Sequence, residues 1–67
     1  MPPRKPGQAI RRELYRAVRE DEYTRTRAGR EEVARVLSKS AEQFHAIGLD
    51  ALAYDLLAVA LRLEEEA

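Results

Sequence analysis

Cysteine is absent from this 67-residue chain, which excludes disulfide bonds and thiolate metal sites together. Glycine occurs only at Gly7, Gly29 and Gly48, too dispersed for a phosphate-cradling loop. All three prolines, Pro2, Pro3 and Pro6, fall within Met1–Gly7, and that segment reads as an extended, disordered basic arm. Long apolar runs are missing too. The stretch Ala51–Leu61 is interrupted by Asp55 and is far shorter than the roughly 20 residues a bilayer requires, so no membrane partner is expected. MPPRKPG carries positive charge with no apolar segment behind it; no signal peptide is read there, and a cytoplasmic protein is expected. No nucleophile–base pair and no paired carboxylates stand out. Neither an enzyme nor a cofactor is expected.

A chain this short forms one domain with a small core, and such domains commonly rely on disulfides, a metal or self-association. With disulfides and thiolate sites excluded, self-association is the route left open.

The formal net charge is zero, but its distribution is lopsided. Residues 1–30 carry nine basic groups against four acidic ones, and residues 31–67 carry three against eight, so the two parts stand at +5 and −5. Such polarity suits contacts between copies or an oppositely charged partner, and equally suits compensation between packed helices.

What the chain does have is one strongly apolar stretch, LDALAYDLLAVALRL, from Leu49 to Leu63. At about 100° per residue, Leu49, Leu52, Ala53, Leu56, Ala60 and Leu63 make one face, and Leu57, Leu61 and Tyr54 widen it. Roughly two-thirds of the circumference is then apolar, wider than the usual stripe of a surface helix. Asp55, Arg62 and Glu66 mark the narrow polar strip that remains, read as the solvent edge of the helix. If that strip were buried, Asp55 would need a cation, from Arg62 of another copy or from an N-terminal arginine.

Two further helices are expected. Ile10, Leu14, Ala17 and Val18 form a thin helical stripe in the first, about residues 8–23, with a break in 24–29 at Thr24, Thr26 and Gly29. Val33, Val36, Leu37, Ser40, Ala41, Phe44 and Ile47 form the stripe of the second, about 30–47. Glu31 and Glu32 suit its first turn, Gly29 or Thr26 suits its cap, and Glu31–Arg35 makes an i, i+4 pair. Gly48 suits a left-handed helix end, and Asp50 suits the cap of the third helix, about 50–65. The short turn makes helices two and three antiparallel neighbours. The expected fold is all-α: a small three-helix domain built on an antiparallel hairpin.

Three local patterns bear on function. Ser40–Gln43 matches a capping box that would split the second helix. With that split, EEVARVLSKSAEQFHAI resembles a helix-turn-helix segment, departing from it at Ser38 and Lys39 in the turn. The apolar period runs through Ser40 unshifted, which favours a continuous helix. Glu42 and His45 have the Glu-x-x-His spacing of di-iron bundles, but lie off the apolar face, so no metal is assigned. Arg12, Arg16 and Arg19 stack on one face of the first helix and, with Arg4 and Lys5, form a basic stripe suited to phosphates or an acidic protein. Tyr15, Tyr23 and Tyr54 read as amphipathic packing residues.

The expected function is a small non-enzymatic interaction module, an adaptor, inhibitor or assembly factor, acting as a homo-oligomer with a dimer favoured. Tyr54, Leu57, Leu61, Asp55 and Arg62 would form the surface, covered by a second copy or another protein. The alternative is a dimeric DNA-binding regulator using the basic arm and first helix or the degenerate helix-turn-helix.

Overall fold

The computed structural model describes residues 6–67, with side chains from residue 10 onward. Three α-helices and one short 3-10 turn make up these residues: α1 (Pro6–Glu20), the turn (Glu22–Arg25), α2 (Arg27–Ala46) and α3 (Asp50–Glu66). Helices α2 and α3 form an antiparallel hairpin, and α1 lies along α3. The expected all-α domain on a helical hairpin is what the chain forms. Residues 1–5 of the expected basic arm, with Arg4 and Lys5, lie outside the described residues. Pro6 and Gly7, expected in the arm, open α1 instead; proline is tolerated at a helix start because its missing N–H would have no intrahelical partner there.

The expected break comes earlier than its sequence signal. α1 stops at Glu20 because the following segment supplies its own hydrogen bonds. Asp21 accepts the Tyr23 amide at 2.9 Å. Thr24, buried in the turn, has its hydroxyl 2.5 Å from the Val18 carbonyl and 3.0 Å from that of Asp21. Arg19 and Arg30 both donate to the Thr24 carbonyl, at 2.9 and 3.1 Å. Thr26 then caps α2, its hydroxyl oxygen accepting the Gly29 amide at 3.0 Å. Such a cap contributes about 1 kcal/mol.

Because α2 begins at Arg27, its first turn contains no acid, contrary to the expectation for Glu31 and Glu32. The expected Glu31–Arg35 pair is also exchanged: Glu31 pairs with Arg27 at 3.2 Å, and Arg35 with Glu32. The Glu32 carboxylate holds the Arg35 guanidinium above its ordinary pKa. α2 is continuous through Ser40.

At the far end, Gly48 takes φ +88°. The Leu49 amide reaches the Phe44 carbonyl at 2.9 Å, and the Gly48 amide reaches that of His45 at 3.0 Å, the paired bonds of a Schellman end. Asp50 does not cap α3 as expected. Leu49 holds the cap position without a side-chain bond, while the Asp50 Oδ1 lies 2.7 Å from the His45 Nδ1 and ties the two helix ends together.

Small residues line the hairpin. Ala34 and Ala41 on α2 meet Ala53 and Ala60 on α3, all buried. Around them lie two core clusters, one with Val59 and Leu63 and one with Leu56, bridged by Leu14 and Leu37. This alanine seam rotates α2 relative to the expected stripe: Ala34 is fully buried, whereas Val36 and Ile47 are 54% and 71% exposed. Residues seven apart on both helices are small, so the backbones can approach there more closely than the larger side chains of the predicted face would allow.

Gly29 sits in the first turn of α2 because a backbone lies against it. A Cβ there would meet the Tyr23 carbonyl oxygen at 1.7 Å. Replacing a helical glycine by alanine ordinarily gains about 1 kcal/mol. Here Gly29→Ala is expected instead to lose about 1–3 kcal/mol by overpacking, measured by urea denaturation. Unchanged or increased stability would mean that the 3-10 turn yields freely.

Candidate interaction surface

α3 is buried from two directions and open in a third. Ala53, Leu56, Ala60 and Leu63 belong to the core it shares with α2. On the open side, Tyr54, Leu57 and Leu61 are 67%, 41% and 51% exposed. Their 3–4 spacing puts them on one stripe. Between that stripe and α2 runs a groove of about 460 Å3, with Ser38, Ala41, Ala53, Tyr54 and Leu57 along it and Glu42, His45 and Asp50 toward one end. The three side chains assigned to the surface from sequence are thus the exposed apolar ones in the body of α3.

Asp55 does not lie at a solvent edge as expected, whereas Arg62 is exposed. Asp55 is 4% exposed, and its Oδ1 is 3.0 Å from the Nε of Arg11. The Nε–H does not point along that line, so the contact is a charge pair without a hydrogen bond, and the buried Nε has no acceptor among the described residues. An N-terminal arginine supplies the required cation within the same chain. About two turns further along α3, the Arg62 guanidinium carbon lies 3.8 Å from the Tyr15 ring centroid. The Tyr15 hydroxyl in turn reaches both Glu66 carboxylate oxygens, at 2.5 and 2.6 Å, sharing one proton between them. The polar strip of α3 is therefore where α1 docks.

This docking turns α1 away from its predicted face. Leu14 and Val18 pack on the core as expected, joined by Tyr15, while Ile10 is largely exposed and Ala17 exposed. The expected basic stripe is divided by the same rotation. Arg12 and Arg16 remain exposed. Arg19 is drawn inward, bonding the Thr24 carbonyl and lying 3.8 Å from Glu66. Sequence reasoning did not find Arg11, Thr24 or the pairing of Tyr15 with Glu66. Each lies beside, rather than on, an apolar stripe, and its partner is distant in the chain or in an irregular turn.

A second groove of about 440 Å3 separates α1 from α3, lined by Arg11, Arg12, Tyr15, Ala58, Val59 and Arg62. The helix-turn-helix reading is corrected by the unbroken α2: Ser38, Lys39 and Ser40 are helical and make no turn. Glu42 and His45 are exposed, and His45 engages Asp50. Among the described residues no helix is long and apolar enough to cross a membrane.

No family model matches the chain, and no curated protein or solved structure matches it.

Truncating one partner of a buried ion pair costs more than losing a surface charge. Arg11→Ala is expected to destabilise the fold by about 1–3 kcal/mol, discounted from a fully buried pair because Arg11 is partly exposed. Arg12→Ala and Arg16→Ala should stay within about 0.5 kcal/mol. Denaturation of the three variants checks this ranking; equal effects would show that Asp55 does not depend on Arg11.

Proposed function

We infer that this chain is a small regulatory interaction module of the cytoplasm, non-enzymatic, which acts by presenting helical surface to a protein, and that it pairs with a second copy of itself. The observation carrying this reading is the stripe Tyr54–Leu57–Leu61, three large apolar side chains left in water on a helix otherwise packed from two sides. Apolar surface concentrated in this way on a small domain favours a partner. Adaptor, inhibitor and assembly factor are the roles open to such a module. Exposed Arg12 and Arg16 would orient an incoming acidic partner rather than supply affinity.

Magnitudes set the expected strength. Completing the burial of each side chain contributes about 1–2 kcal/mol, since each is already partly covered. A twofold pair counts every contribution twice. That total, about 6–12 kcal/mol, is of the same order as the estimated cost of association, about 4–15 kcal/mol. A dimer built on this flank is therefore expected to dissociate on dilution.

Light scattering over a concentration series tests the reading. The wild-type chain should rise from one chain's mass of 7.7 kDa toward twice that value, and Leu57→Asp should stay at the monomer mass with its helical circular dichroism intact. A folded Leu57→Asp variant with unchanged assembly would refute the flank; a wild-type chain that stays monomeric throughout would refute self-pairing.

A further inference from the structure

The groove between α1 and α3 holds more positive charge than the fold consumes. Asp55 takes Arg11 at 3.0 Å. Glu66, the next acid on the strip facing α1, is engaged by the Tyr15 hydroxyl and approached by Arg19. Arg12 and Arg62 make no ion pair among the described residues. Three guanidinium groups thus border one groove against one carboxylate, a surplus of two positive charges.

The groove is also arranged in advance. Arg62 lies over the Tyr15 ring at 3.8 Å, and the ring is held at its hydroxyl end by Glu66. A guanidinium stacked on a ring face keeps in-plane N–H donors at its edge, suited to meeting two oxygens of one oxyanion. Arg11 is positioned by Asp55 on the α1 wall. Between the arginines, Ala58 and the partly exposed Tyr15 offer apolar surface, with Val59 buried beneath them.

We propose that this groove binds a phosphate monoester dianion carried by a small molecule, with the molecule's apolar or aromatic body against Tyr15 and Ala58. A phosphate monoester carries about −1.5 to −2 at neutral pH, which matches the surplus, whereas a single carboxylate neutralises only half of it. The groove's volume, about 440 Å3, falls within the range of small-molecule sites, about 300–1,000 Å3. No groove-lining residue belongs to the Tyr54–Leu57–Leu61 stripe, although the Arg11 guanidinium carbon lies 5.8 Å from the Tyr54 ring centroid; the proposal does not rest on the interaction reading.

The test is an NMR titration of the full chain with phenyl phosphate, inorganic phosphate and benzoate, following backbone amides and arginine Nε–Hε signals. Phenyl phosphate is expected to shift Arg11, Arg12, Ala58 and Arg62 saturably and to bind more tightly than inorganic phosphate, with benzoate weakest. Arg62→Ala should weaken phenyl phosphate about tenfold or more. Arg62→Lys should weaken it too, because an ammonium neither forks nor stacks. Arg16→Ala, outside the groove, should leave binding unchanged. Arg12→Ala, at an exposed position, repeats the test should Arg62→Ala disturb the helix packing. The proposal is overturned by shifts that never saturate, by shifts equal at Arg16, Arg27 and Arg35, by binding that survives both Arg62→Ala and Arg12→Ala, or by benzoate binding as tightly as phenyl phosphate.

Discussion

The position of α1 depends on the polar strip of α3. Asp55, Arg62 and Glu66 are spaced by seven and four residues, and α1 meets them in the same order with Arg11, Tyr15 and Arg19. The anchoring charge is Asp55, because a carboxylate this buried is costly without a cation. Meeting that requirement sets which face of α1 turns inward, and so which arginines remain in water. Apolar burial follows the same register: Leu14 and Val18 come down beside Leu37, Val59 and Leu63.

The hairpin beneath obeys a different rule. Ala34, Ala41, Ala53 and Ala60 let two helices run close together, where dispersion and burial act through backbone and methyl groups rather than long side chains. Close approach leaves little room to cover the flanks of α3. One flank receives α1. The other keeps Tyr54, Leu57 and Leu61 in water. The exposed stripe and the arginine-lined groove are thus both consequences of a fold in which, among the described residues, the most apolar helix has two neighbours.

The connection between α1 and α2 shows how a short chain can fix geometry without a large core. Thr24 is buried at the centre of a turn in which its hydroxyl and carbonyl, together with Asp21, Arg19, Thr26 and Arg30, satisfy the backbone groups the helix ends leave open. Gly29 lets α2 start directly against that turn. These bonds hold α1 at an angle that the α1–α3 contacts then use.

The sequence determined the number of helices, the antiparallel hairpin, the left-handed end at Gly48 and the apolar stripe Tyr54–Leu57–Leu61, and narrowed the cap of α2 to Gly29 or Thr26. These rest on local rules, on periodicity, capping and glycine geometry, which act over a few residues and are written in order along the chain. Only the tertiary structure decided the rest. Which face of α1 and α2 is buried depends on partners dozens of residues away, and an Ala34 or an Arg11 beside a stripe looks no different in sequence from one left in solvent. The pairing of Asp55 with Arg11, and the meeting of Arg11, Arg12 and Arg62 in one groove, arise because a buried charge must find its counter-ion wherever the fold brings one near.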